Sequence, residues 1–391
     1  MITLNTDYDA LYQQIKNIEE HFLDCNSLNS AAVYFATYQS LVELYFNATL
    51  QNPCDKKVNR NKFVRYSGMQ RVNALSKKRI NHFIKNQKNH LSYISSVFFE
   101  FSDLLNEFID SDYYKYLYFK NQSNISVDEG FDILYSFFDE CCPRVGELFD
   151  CFLKENRFFM LPEISLYFNR DGCTIYNSVG NVYDVFLKPN MKSLELLSLV
   201  VHELSHVEDI QAYASQSSPV NSSLYQMNSP FCEVPAFYNQ FRFYEYLLKN
   251  GIYKDDVIME WVNNLAMSIE SMDNLLLFSM YPSKKLQKQS VCIPKNNILT
   301  AILEEREEDI PIGFDDTVVI DENISLDDSI QYSYGPMLAM AMMDDEALYR
   351  KFSMIRGDYF DRDKLSSIGL FQEDVSQKVM KKCDDFFGKY L

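Results

Sequence analysis

In the stretch LVVHELSHVEDIQ, residues 199–211, five consecutive residues read His202-Glu203-Leu204-Ser205-His206. Helical winding brings two residues four apart to one face, one turn from each other. Both imidazoles could then reach a single metal ion. Glu203 beside them could take a proton from a water that the metal activates. The opposite face carries Leu197, Val200, Val201, Leu204 and Val207. That stripe predicts a helix of about Ser193 to Ala214, anchored in a core while its histidines look into a cleft. The chain has only five histidines, so few random arrangements would place two of them around a glutamate at this spacing.

Two protein ligands leave a catalytic site incomplete, because a third is needed together with an open position for water. A third histidine in the extended H-E-x-x-H-x-x-G-x-x-H pattern is excluded, since those places hold Asp209 and Ala212. The remaining histidines, His21, His82 and His90, lie far upstream and read as surface or core residues. Downstream, SPFCEVPAFYNQFRFYEYLL carries Glu233 on a helical face shared with Phe237, Gln240 and Tyr244, so packed neighbours would direct the acid. Pro235 is tolerated only in a first helical turn, which places the start of that helix close to Glu233.

H-E-x-x-H on one helix, followed by Glu233 in the setting Glu-x-x-Ala-Phe-x-x-Gln on the next, resembles the gluzincin class of metallopeptidases. The resemblance implies a zincin-like core in which His202, His206 and Glu233 hold Zn²⁺ and Glu203 is the general base. One departure stands out: some gluzincins carry an aspartate four residues beyond the ligand glutamate as a partner for a histidine, and Phe237 stands there. The rival ligands are Cys232 and Cys173. Asp171-Gly172-Cys173 resembles peptide deformylase, but that family expects an acid before the second histidine, where this chain has Ser205.

A ligating imidazole usually donates its other N–H to a carboxylate or carbonyl. Glu195 and Asp209, on the same helix, are the candidates, against the alternative that each is an ordinary polar helix residue. Amide hydrolysis also needs a donor for the developing oxyanion. Gln331-Tyr332-Ser333-Tyr334-Gly335-Pro336 offers Tyr334 or Tyr332, with the glycine and proline marking a turn that enters a helix. Simple packing is the competing account of both tyrosines. The alternating stretch EISLYFNRDGCTIYNSV, 163–179, predicts a hairpin turning at Asn169–Gly172, and it could supply an edge strand along the cleft for an extended peptide.

Around these motifs the chain reads as mostly helical. Apolar positions recur at three-to-four spacing in DYDALYQQIKNIEEHFL and AAVYFATYQSLVELYFNATL, and FFEFSDLLNEFIDSDYYKYLYF continues the pattern, although its aromatics would also suit a strand. A helix is expected after Ser229-Pro230, a long one at about Asp255 to Met280, and further ones near 337–353 and 373–388. The acidic stretch near 311–328 reads as loop and short strand. The expected class is α+β, predominantly α-helical, with a small β-hairpin or sheet. An N-terminal helical region (1–155) would precede a zincin-like catalytic region (156–391), unless the two form one unit.

Composition narrows the classes further. Of 391 residues 47% are hydrophobic, with only 11 glycines and 11 prolines, which suits long helices with a sizeable core. No cleavable signal and no membrane-spanning apolar run is visible, so a soluble protein is expected. Nine scattered cysteines, with Cys141 and Cys142 adjacent, fit a reducing compartment rather than a disulfide framework. A net charge of −18 excludes nucleic acid as a general partner. The charge is uneven: eleven Lys/Arg and one acid lie between Asp55 and His90, and eleven acids and one arginine between Glu304 and Asp328. Solvated, mutually complementary faces account for this, and the sharper alternative is a basic docking patch for an acidic protein or membrane surface.

The expected function is that of a zinc metallopeptidase acting on a peptide or protein. Two settings fit: a cytoplasmic oligopeptidase or aminopeptidase, or a proteolytic effector delivered into a host cell, which a composition rich in Asn, Lys, Ile, Phe and Tyr permits. The alternative from another class is a non-catalytic interaction protein with a structural or degenerate metal site.

Overall fold

The computed structural model describes residues 12–18, 62–120, 123–160, 172–177, 182–187, 193–214, 230–280, 292–293, 318–319, 326–355, 361–370 and 372–389. Residues 12–18 are helical, as expected, while the periodic stretch 31–50 and His21 lie outside the described residues. Lys62–Asp110 (α1) is a 49-residue helix, about 74 Å long at 1.5 Å per residue. Its C-terminal half buries Ile94, Val97, Phe101, Leu105 and Phe108, three or four apart and so on one face. The aromatic run at its end is helical rather than extended, continuing into Asp112–Phe119 (α2) after Ser111. That serine caps the new helix by accepting the Tyr114 N–H. Val127–Cys141 (α3) and Pro143–Lys154 (α4) follow, the first capped by Ser126 and the second opened by Pro143.

A three-stranded sheet comes next, formed by Phe158–Met160 (β1), Gly172–Asn177 (β2) and Val182–Leu187 (β3) in the order β1-β3-β2. β3 runs parallel to β1 and antiparallel to β2, with Thr174 opposite Val185. Tyr183 to Leu187 are all buried, which is why VYDVFL reads as a nearly continuous apolar run. Its one acid, Asp184, lies 3.5 Å from the Arg157 guanidinium. Gly172–Asn177, the second arm of the expected hairpin, is a strand and pairs with β3, while the first arm and the turn at 169–171 lie outside the described residues.

Ser193–Ala214 (α5) spans the predicted range. Glu233–Lys249 (α6) begins at the expected acid, and Lys254–Met280 (α7) matches the long apolar-periodic segment. Cys292–Ile293 (β4) and Val318–Val319 (β5) pair antiparallel, and the rest of the acidic stretch up to Ser325 lies outside the described residues. Leu326–Met342 (α8), Glu346–Ile355 (α9), Arg362–Ser367 (α10) and Gln372–Phe387 (α11) complete the chain. The helix expected at 337–353 is two helices, and the first starts well before Gly335 and Pro336. The fold is predominantly helical with a small sheet, as the sequence predicts.

α1 packs on α7 and α11, and α8 packs on α6, α7 and α11. One hydrophobic cluster runs from Phe83 to Phe387. The single tryptophan, Trp261, belongs to it, stacked on Phe241 and against Phe386. α5 packs against α4, α6, β2 and β3. The predicted stripe of Leu197, Val200, Val201, Leu204 and Val207 is buried, and so is the polar side carrying the histidines. Among the described residues no helix is long and apolar enough to cross a membrane.

Candidate metal centre

α5 and the first turn of α6 bring three side chains to one point. His202 Nε2 lies 3.1 Å from Glu233 Oε2, His206 Nε2 lies 3.3 Å from the same oxygen, and the two Nε2 atoms are 3.2 Å apart. A tetrahedral ion with bonds of roughly 2.0–2.1 Å holds its ligand atoms about 3.3 Å apart. The three donor atoms thus describe one face of a tetrahedron of the right size. Two imidazoles and a carboxylate are also the donor types that zinc accepts. Among the described residues these are the three that form a group able to hold a metal ion. All three are buried, at 6%, 7% and 8% exposure, so the charge they carry is poorly screened.

The electrostatics follow from that geometry. Burial works to raise the Glu233 carboxyl, but the His206 charge and hydrogen bonds from both imidazoles outweigh it and hold the acid well below the usual carboxylate range. Burial works to lower His206, but the Glu233 charge and hydrogen bond, Glu203, and the Cys232 backbone together raise it. The cluster favours positive charge among its three donor atoms, which is what a cation supplies.

Each histidine is oriented from behind. The His202 Nδ1–H donates to Gln240 Oε1 at 2.9 Å, and His206 hydrogen-bonds the Cys232 backbone. Neither Glu195 nor Asp209 is needed for these contacts. Phe237, where an aspartate was the family expectation, packs edge-on to His202 with ring centroids 5.0 Å apart. The orienting role passes one turn further along α6, to Gln240. Its place on the Glu233 face is visible in the sequence, but nothing there marks its carboxamide as a hydrogen-bond partner.

Glu203 is held from the sheet. Thr174 Oγ1 lies 2.7 Å from Glu203 Oε2, to which it donates, and 3.1 Å from the Glu203 carbonyl. The strand that carries Thr174 is the one beside β3 at the end of the sheet order, and it lies directly on α5. Gly172 allows this approach: a Cβ there would stand 2.9 Å from Leu199 Cδ2 and 3.1 Å from Glu203 Oε1. Thr174 carries no motif and is missed by reading the sequence.

Glu233 is pressed into place from the other side. α8 crosses α6 at Gly335, where a Cβ would stand 2.7 Å from Glu233 Cβ and 3.1 Å from Phe237 Cδ2. Gly335 and Pro336 therefore lie inside a helix, at a close crossing, rather than in a turn entering one. Tyr332, one turn before Gly335, is half-buried with its ring edge-on to Phe237 at 6.1 Å. Tyr334 points elsewhere in the core. It is fully buried, its hydroxyl is 2.9 Å from His90 Nδ1, and its ring meets Tyr93 and Phe231.

His90 is thus a core histidine, and His82, half-buried on α1, contacts Asn86. Of the rival ligands, Cys232 is buried with its sulfur 3.8 Å from Glu233 Oε1, and Cys173 is half-buried on β2. Neither belongs to the three-residue group. Compared with known protein families, curated proteins and solved structures, the chain matches none, so the likeness to a His-Glu-x-x-His…Glu site rests on these residues and their geometry.

Proposed function

We propose that this chain is a zinc-dependent hydrolase that cleaves peptide bonds, with His202, His206 and Glu233 as the metal ligands and Glu203 as the general base. The observation that carries the reading is the pairing of a tetrahedral donor face with a carboxylate on the same helix that is not part of it. A purely structural metal site has no use for Glu203. Bound zinc would supply a Lewis acid for the scissile carbonyl and shift the pKa of water towards neutrality.

The chain's own residues would do the rest. The hydrogen bond from Thr174 holds Glu203 Oε2 in one orientation, leaving Oε1 to take the proton of the attacking water. The same carboxylate would then deliver that proton to the departing amine nitrogen, as bond cleavage requires. Tyr332 is the tyrosine we carry forward as oxyanion donor, because its ring lies against Phe237, which packs on His202, while Tyr334 lies in the core against His90. An extended peptide would bind along the sheet beside the site by strand addition.

The burial of all three ligands favours a second reading, a closed structural site in an interaction protein. Mass-spectrometric mapping of new N-termini in a cell lysate, with wild type against Glu203→Gln, separates the two. New termini that appear only with wild type support the peptidase. Identical maps from a zinc-loaded protein would leave the structural site. Cleavage of short peptides would favour a cytoplasmic oligopeptidase, and cleavage of one intact protein would favour a delivered effector.

A further inference from the structure

Behind His202 lies a buried chain of neutral polar groups that runs across three helices. Gln240 Oε1 faces His202 Nδ1 at 2.9 Å, and Gln240 Nε2 donates to the Tyr244 hydroxyl at 3.0 Å. Asn264 Nδ2, from α7, donates to the same hydroxyl at 3.0 Å. Tyr244 also hydrogen-bonds Ser198, whose own hydroxyl donates to the Glu195 carbonyl at 3.0 Å. Ser198, Gln240, Tyr244 and Asn264 are all buried.

Both amides present an N–H to the Tyr244 hydroxyl. Tyr244 therefore accepts from both amides, and the Gln240 carboxamide must turn its oxygen towards His202. That oxygen can only accept, which requires the proton on Nδ1; Nε2, hydrogen-bonded to Glu233 in the metal-free protein, is then the nitrogen left for a metal ion to take.

We infer that Gln240, locked by Tyr244 and Asn264, is the positioning residue that holds the His202 ring with Nε2 towards the metal, in the role a carboxylate commonly fills. This rests on the metal-binding reading above. A carboxylate would draw on the Nδ1 proton and make the imidazole a more basic ligand. The carboxamide orients the ring without that pull, so the site binds zinc less tightly than its donor set allows and leaves the ion a stronger Lewis acid.

The test is the zinc affinity of the full chain, measured by competition with a chromophoric chelator. Circular dichroism and melting in EDTA report whether each variant folds. Gln240→Leu, which removes the acceptor, is expected to weaken zinc binding by roughly 10- to 100-fold. Gln240→Glu is expected to bind at least as tightly as wild type.

Should Gln240→Leu fail to fold, Tyr244→Phe removes only the group that orients the carboxamide and should also weaken binding. The double variant Gln240→Glu/Tyr244→Phe should restore it, because either carboxylate oxygen can accept. A folded Gln240→Leu within twofold of wild type, or a Gln240→Glu as weak as Gln240→Leu, would overturn the inference. Wild type that takes up no zinc would overturn the metal site itself.

Discussion

Replacing Gly335 by alanine would put a methyl group 2.7 Å from Glu233 Cβ and 3.1 Å from Phe237 Cδ2. Carbon atoms rest at about 3.5–4.0 Å, so α8 and α6 would have to part by roughly 1 Å at their crossing. Overpacking of this kind costs about 1–3 kcal/mol. The better helix propensity of alanine offsets about 1 kcal/mol of that. The net loss is then ~0–2 kcal/mol, which a domain of this size survives. The ligand set tolerates much less, because metal–ligand distances must hold to within about 0.2 Å. Glu233 Oε2 is carried by the Cβ that the new methyl displaces. Gly335→Ala should therefore weaken zinc binding by on the order of tenfold or more, a loss like that of an outer-shell partner, while the metal-free protein melts within a few degrees of wild type. Chelator competition and thermal melts in EDTA measure the two effects separately. Zinc affinity within twofold of wild type would refute the claim that this crossing places Glu233.

Other consequences concern Glu203 and the core. Thr174→Val removes the hydroxyl held 2.7 Å from Glu203 Oε2, while Thr174→Ser keeps it. The valine variant should lose roughly 10- to 100-fold in turnover with zinc content unchanged, as expected for a misdirected general base, and the serine variant should stay near wild type; equal losses in both would point to packing alone. His90 is lowered from 6.5 to about 3, by burial first and then by the charge of His82. Between those values the unfolded chain binds the proton and the folded one does not, so stability falls as the pH drops through that window and is unaffected above it. The loss from this group reaches at most about 5 kcal/mol. Urea unfolding in EDTA should show wild type losing more stability between pH 7 and pH 4 than His90→Gln, and parallel curves would refute the assignment.

Much of this architecture is legible in the sequence because it depends on local periodicity. The span of α5, the start of α6 at Glu233 and the length of α7 all follow from apolar spacing and a proline restricted to the first turn. The misreading of Gly335 has a physical cause, and Gly172 shows the same one at work. Gly172 and Gly335 both look like turn residues, since a glycine beside Asp171 or Pro336 usually marks one. In the fold each is the point where another element, β2 or α8, comes within contact of the site. Chain context cannot distinguish a glycine needed for backbone freedom from one needed for space.

The same limit applies to Thr174 and Gln240. Their contacts with Glu203 and His202 span 29 and 38 residues, and no motif predicts them. Tyr332 and Tyr334 are two apart on one helix and so face different ways. Only packing shows that one approaches Phe237 while the other binds His90.

Zinc stoichiometry of the purified chain, by inductively coupled plasma or native mass spectrometry, tests the central claim most directly. The account predicts one zinc per chain in wild type and in Glu203→Gln, and none in Glu233→Ala. Wild type that takes up no zinc, or Glu233→Ala that retains it as wild type does, would contradict the site.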